Sequence, residues 1–340
     1  MKYIHEMISR GMIQSLTIPQ KKVGAGRIVV PRRTPDLRLK ESWSYNHLPK
    51  ILDVMSSTLS VPRAIYCGFD PTGASLHLGH MTVLSVLLNL ARAGHHVIAL
   101  VGGATALFGD PTGKKENRMA AQNEAIEKNA LAIQTQLKHI FCQYSTRHDI
   151  DPGNLSVLNN IDWYKSLMVE DFIELVASEF KLNDMLDRAI VKSRLEAEES
   201  DMRFSEFIYL ALQAYDWYQL HEKYGCTVQV GGHDQIGNME DGYTYMWRKL
   251  RHRPLLAAIT VPLVVTDNGE KLGKTAGNAI WLDECKTDQT PIKQYLMRLS
   301  QQDLLALCRK LTLEPTERLE KLSPDEFTTL IIEELLPLLT

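Results

Sequence analysis

The sequence predicts an α/β protein: a parallel sheet within residues 63–282, followed by a helical region from 283 to 340. Three observations carry this. A strand, a glycine-containing turn, a helix and a second strand follow one another between Arg63 and Gly103, the succession of a parallel β-α-β unit. A second apolar strand, Thr227–Val230, ends in two glycines. From Asp283 onward the apolar spacing is helical and no further strand pattern occurs.

Taken in order, the first residues stand apart. The first forty hold nine basic and two acidic residues, a balance of +7. Such a basic, acid-poor start fits a mitochondrial transit segment or a solvated arm. Residues 18–47 carry Pro19, Pro31, Pro35, Gly24 and Gly26 with little periodicity, so residues 1–62 are expected to be an arm, with or without a transit-peptide remnant. Arg63–Phe69 reads as a buried strand and DPTG as its turn. Leu76–Ala93 reads as a helix through Leu84, Leu87, Leu88 and Ala91, and Val97–Val101 as the next strand. Arg118–Phe141 is an amphipathic helix whose expected buried face is Ala125, Leu131, Ile133, Leu137, Ile140 and Phe141. Phe204–Tyr224 is an aromatic-rich helix closed by Gly225, and Ile259–Val265 a strand leading into the loop Asp267–Asn278.

Composition narrows the function. The chain has 340 residues, 44% hydrophobic and 23% charged, and no apolar run long enough to cross a bilayer. Thirty-eight basic against 41 acidic residues make binding of nucleic acid by charge alone an unfavoured reading. Five cysteines, an odd number with no CxxC pair, point to a reducing compartment without structural zinc. GDPTGKK lacks the glycine spacing and hydroxyl of a Walker loop, GAGRIV lacks the third glycine of a dinucleotide fingerprint, and His221-Glu222 has no second histidine for a zinc protease site.

Two short motifs bear on chemistry. His77-Leu78-Gly79-His80 opens a helix after a strand and turn. Free N–H groups and the positive end of the helix dipole attract phosphate there, and imidazoles can donate to phosphate oxygens. Lys271-Leu272-Gly273-Lys274-Thr275 lies in a glycine-rich loop after a strand, where two lysines and a hydroxyl can neutralise a departing pyrophosphate. Each alone is more often a solvated or core feature. Asp216 can accept a hydrogen bond, and Tyr66 can donate or accept one. Tyr209, Gln213 and Asp216 share one face of their helix.

HLGH and KLGKT together are the signatures of class I aminoacyl-tRNA synthetases. The stretches YCGFDPTGASLHLGH (66–80), VGGATALFGDPTGKKENR (101–118), YLALQAYD (209–216), QVGGHDQIGN (229–238) and KLGKTAGNAIWL (271–282) resemble the tyrosyl-tRNA synthetase family, most of all its metazoan mitochondrial type. The resemblance covers about residues 63–300. It implies a Rossmann-like catalytic domain at 63–282 and part of an α-helical anticodon-binding domain at 283–340; the S4-like module that usually follows in this family has no match in the sequence. It implies tyrosine contacts from Tyr66, Asp110, Tyr209, Gln213, Asp216, Gln229 and Gln235. Catalytic roles would fall to His77, His80, Lys271, Lys274 and Thr275. ATP would be met by Asp70, Thr72, His77, Gly79, His80, Gly232, Asp234, Val264, Lys271 and Lys274, with Lys114 and Arg118 assisting on pyrophosphate. The implied substrates are L-tyrosine, ATP with Mg2+ and tRNA(Tyr), with no tightly bound cofactor, no protein metal site and no membrane. The implied form is a homodimer in the mitochondrial matrix, less favourably in the cytoplasm. His233 in GGHDQ departs from the small polar residue common in relatives. Another HxGH nucleotidyltransferase, or an RNA-splicing cofactor that kept a synthetase fold, is the alternative.

Overall fold

The structure is a computed structural model. It describes residues 2–17, 20–21, 28–29, 62–110, 122–196, 202–250, 255–262, 274–275, 278–283, 290–312 and 316–335. Its strands are β1 (Ser15–Thr17), β2 (Gln20–Lys21), β3 (Ile28–Val29), β4 (Ala64–Phe69), β5 (His96–Val101), β6 (Leu155–Asn159), β7 (Cys226–Gly232), β8 (Ala257–Val261), β9 (Lys274–Thr275) and β10 (Asn278–Ala279). Six form one sheet in the order β1-β8-β7-β4-β5-β6; β2 pairs with β3 and β9 with β10. Neighbours from β8 through to β6 are parallel, and β1 closes the edge antiparallel to β8.

Strands β4, β5, β7 and β8 are almost entirely buried, which explains their near-continuous apolar runs. Along β4, Ile65, Cys67 and Phe69 enter one core, whereas Ala64 and Tyr66 enter the other. The first core takes the helices Leu78–Arg92 and Gln122–His148 and the C-terminal helices Thr290–Leu296, Gln301–Leu311 and Pro324–Leu335. The second takes the helices Phe204–Tyr224 and Ile236–Lys249. In the first, Leu84, Leu87 and Leu88 are wholly buried; each such side chain contributes about 1.5–3 kcal/mol relative to exposure.

The expected strands at β4, β5 and β7 are present, each shifted or extended by a residue or two at its ends. The one expected at Ile259–Val265 occupies Ala257–Val261, and residues 263–265 lie outside the described residues. Phe204–Tyr224 is a helix at both expected ends, and Gly225 closes it at φ 64°, where a side chain would be strained. The expected buried face of the helix Gln122–His148 needs correction. Its stripe is Ile126, Ala130, Ile133, Leu137, Ile140, Phe141 and Tyr144, while Ala125 and Leu131 are exposed, Leu131 by 67%. Leu131 stands two residues before Ile133, about 200° round the helix, and so faces away from the sheet.

The stretch expected as an arm is partly built into the molecule. Lys2–Ser9 is a helix, Ser15–Thr17 is β1, and Ile4, Met7, Met12 and Ile13 are buried in the first core. The buried Arg10 guanidinium donates to the Thr312 carbonyl and pairs with Glu6 at 3.5 Å. Amphipathic spacing in a short segment, not composition, decides this packing. The prolines and basic residues at 30–40 lie outside the described residues. Strand β6 and the helix Ile236–Lys249 are further elements that sequence reasoning did not mark.

Candidate active site

Chain connections run from β4 towards β5 and β6 on one side, and β7 and β8 stand on the other. In open parallel sheets the crevice beyond the strand ends at such a reversal is where ligands bind. The carboxyl ends of β4, β5 and β7 here deliver Asp70, Gly102 and Gly232 to one rim.

Asp216 forms the floor. It sits on the inner face of the helix Phe204–Tyr224 and is 4% exposed. Asn160 Nδ2 donates to its Oδ2 at 3.0 Å and Trp163 Nε1 to its Oδ1 at 2.9 Å. Burial pushes this carboxyl up to about 7; the Asn160, Trp163 and Tyr164 hydrogen bonds pull it down, and the Asp70 charge pushes it further up. Asn160 is fully used: its Oδ1 accepts the Ala104 N–H at 2.8 Å, and its Nδ2 also donates to Thr105 Oγ1 at 3.0 Å. Tyr66 projects from β4 into the same buried layer, directly beside Gln229 of β7 in the sheet register. Its hydroxyl is buried with no hydrogen-bond partner among the described residues. An orphaned hydroxyl near a buried carboxylate costs stability unless a ligand completes it.

A second polar layer lies nearer the rim. Asp70 accepts from the Tyr209 hydroxyl at 2.9 Å and from Thr105 Oγ1 at 3.0 Å. Tyr209 is raised well above the ordinary phenol value by burial, then by the Asp70 and Asp110 charges. Gly102 must lack a side chain, because a Cβ there would stand 1.9 Å from Asp70 Oδ1. Gln235 Nε2 donates to Asp110 Oδ2 at 2.7 Å, Gln213 Nε2 to Gln235 Oε1 at 3.3 Å, and Asn238 Nδ2 to Gln213 Oε1 at 2.8 Å. Carboxylates and amide oxygens thus converge where an ammonium group would need acceptors.

The start of the helix Leu78–Arg92 is built around His77. It caps the helix Leu78–Arg92, and its N–H donates to His80 Nδ1 at 3.0 Å. That bond places the proton of a neutral His80 ring on Nε2. The two rings stack with centroids 3.8 Å apart. The chain leaving the KLGKT motif returns here: Lys274–Thr275 pairs with Asn278–Ala279, the Leu78 N–H donates to the Ile280 carbonyl at 3.0 Å, and the Leu282 N–H to the Leu76 carbonyl at 2.8 Å. The chain a few residues beyond the KLGKT motif, almost two hundred positions from HLGH, is therefore bonded to it through backbone contacts.

The structure links Tyr209 to Asp70 and Gln235 to both Asp110 and Gln213, and it sets Tyr66 beside Gln229 in the buried layer next to the helix that carries Asp216. Gln229 is buried rather than turned to solvent, as an alternating strand residue could have been. Thr72 and Asp234 are exposed, and Gly79 and Gly232 are half-buried. His233 approaches Thr260 of β8, its Nδ1 3.4 Å from the Thr260 hydroxyl. Lys114, Arg118, Val264 and Lys271 lie outside the described residues; of Lys274 and Thr275 the backbone pairing is described. Sequence reasoning missed Thr105, Asn160, Trp163 and Asn238. Asn160 and Trp163 follow β6 on the ligand side of the sheet, but with β6 itself unmarked the sequence held no signal that would have found them.

This chain belongs to the class I tRNA synthetases of the tryptophan and tyrosine type, whose family description matches residues 60–335. Among curated proteins it is 42% identical over 282 residues to the mitochondrial tyrosine–tRNA ligase of Mus musculus, an alignment covering 82% of this chain and 58% of that protein. It is 41% identical over 266 residues to the Drosophila melanogaster counterpart, covering 76% and 57%. The chain thus spans somewhat under two thirds of the length of these relatives. A solved structure, the C-terminally truncated mitochondrial tyrosyl-tRNA synthetase of Aspergillus nidulans, superposes with a TM-score of 0.75 at 25% identity, covering 99% of this chain and 89% of that one.

Proposed function

We propose that this chain activates L-tyrosine with ATP and transfers it to tRNA(Tyr) in mitochondrial translation. The observation that carries the tyrosine assignment is the buried pair of Tyr66, whose hydroxyl has no partner among the described residues, and Asp216, held by Asn160 and Trp163. A phenol placed there meets an acceptor and a second hydroxyl; an analogue without the hydroxyl leaves both unmatched. The known example of such rejection, at about 10⁵-fold, is itself a tyrosyl-tRNA synthetase facing phenylalanine.

In this reading the tyrosine ammonium lies among Asp110, Gln213, Gln235 and Tyr209. The substrate carboxylate attacks the α-phosphorus of ATP; the bond from that phosphorus to the bridging oxygen breaks, and pyrophosphate leaves. The aminoacyl group then passes to the terminal ribose of tRNA, and AMP leaves. No protein nucleophile is needed. The chain supplies position and charge complementarity: the helix start with His77, Gly79 and His80, and the hairpin with Lys274 and Thr275, face the phosphates. Asp70, Thr72, Gly232, Asp234, Val264 and Lys271 would complete the nucleotide side, and Lys114 and Arg118 would meet pyrophosphate. Magnesium would travel with the ATP phosphates; among the described residues no group of three His, Cys, Asp or Glu side chains could hold a metal.

The division into a catalytic domain at 63–282 and a helical tRNA-binding region from 283 belongs to the same proposal, as does the mitochondrial location, which the names of the relatives support. So does a homodimer: Met168, Val169, Ile173, Leu182 and Leu195 are large apolar side chains exposed along one connecting segment, the kind of surface that a second copy covers. Tyrosine-dependent ATP–pyrophosphate exchange tests the activity. Exchange with tyrosine and none with phenylalanine is expected; exchange with no amino acid overturns the reading. Sedimentation at graded concentrations tests the dimer.

A further inference from the structure

We propose that Trp281 is a positioning residue for the phosphate-side groups, setting the distance between the helix start that carries His77 and His80 and the hairpin that carries Lys274 and Thr275. The inference rests on the activation reaction proposed above. Trp281 lies two residues beyond β10 and forms an antiparallel bridge with His77. Hydrogen bonds on either side, Leu78 N–H to Ile280 and Leu282 N–H to Leu76, lock that register. The indole lies against the turn before the histidines: a Cβ on Gly73 would be 2.8 Å from its Cη2 and 3.0 Å from its Cζ3. Its ring centroid is 6.0 Å from that of His77, inclined by 59°. One side chain therefore touches the DPTG turn and the first histidine, while its backbone continues directly from the lysine-bearing hairpin.

Its environment separates it from the amino-acid pocket. Asp216, Tyr66 and Gln229 lie in the layer on the far side of β4, whereas the neighbours Ile280 and Leu282 pack into the first core. Loss of the indole should therefore misplace groups that act on phosphate without disturbing tyrosine. A misplacement near 1 Å can cost up to about a hundredfold in rate.

The test uses the whole chain and three variants: Trp281→Ala, Trp281→Phe and Gly73→Ala. Equilibrium tyrosine binding, single-turnover adenylate formation and thermal unfolding are measured on each. Trp281→Ala should slow adenylate formation at least about tenfold with tyrosine affinity within about twofold, and Trp281→Phe should recover most of the rate. Gly73→Ala alone should be slow, and combining it with Trp281→Phe should restore rate, because the shorter ring clears the added methyl. An unchanged rate in Trp281→Ala overturns the proposal. So does a parallel loss of tyrosine binding and rate, or additive behaviour of Gly73→Ala and Trp281→Phe. Absence of exchange in the unmodified chain would instead remove the activation reading itself.

Discussion

Asp216 titrates near neutrality because burial outweighs the hydrogen bonds that favour its charge. A phenol that donates to it favours the ionised form, so binding should be full above about pH 7 and weaken as pH falls through that value. Tyrosine affinity should drop roughly three- to tenfold between pH 8 and pH 6, while phenylalanine affinity, measured by the same calorimetric titration, stays flat. The unliganded fold carries the opposite sign. A carboxyl raised from 3.8 to about 7 stabilises the fold below 3.8 and loses that contribution as pH rises through 7. Tyr66→Phe should reduce the tyrosine-over-phenylalanine ratio of kcat/KM by about ten- to a hundredfold, as one hydrogen bond is worth ~1 kcal/mol and the orphaned partner costs about 1 kcal/mol or somewhat more besides; an unaltered ratio would place Tyr66 away from the phenol. At this scale, the residues that would touch substrate were legible through motifs. Asn160 and Trp163, which hold Asp216, were not: a lone Asn and Trp after a short half-buried strand carry no spacing that separates them from core residues.

Among elements, the helix Gln122–His148 shows what periodicity can and cannot decide. Its existence follows from a repeated apolar stripe, but a window containing Leu131 and Ile133 fits two faces until the sheet chooses one. Leu137→Ala, at a fully buried position, should destabilise by about 2–5 kcal/mol, whereas Leu131→Gln should change stability by less than about 0.5 kcal/mol. Paired urea denaturation curves check both; equal losses would contradict the assigned face. Strands β4, β5 and β7 were readable because both their faces are buried, giving unbroken apolar runs. Strand β6 was not, since Leu155–Asn159 is only half-buried and mixes polar with apolar residues. The three-residue β1 is too short for any pattern to register.

In the molecule as a whole, segments about three hundred positions apart in sequence meet. Arg10, 4% exposed, ties the first helix to the carbonyl of Thr312 at the end of Gln301–Leu311. Arg10→Ala removes that donor and leaves a buried carbonyl unpaired, which should cost about 1–3 kcal/mol. The expected result is a lower urea midpoint with tyrosine affinity intact; loss of affinity at constant stability would show that this contact serves the site instead.

Strand β1 sets the order in which this protein can be completed. Ser15 pairs with Thr260 and Thr17 with Ala258, so this strand is synthesised long before the partner that completes its pairing. Until β8 arrives, Met12 and Ile13 have no finished core to enter, and the outer edge of the sheet stays open to other chains. Contacts between such distant positions form slowly. A ribosome, or any pore passing the chain N-terminus first, must therefore release β8 before Ser15–Thr17 can find their place, and whatever holds the nascent chain in that interval protects this edge.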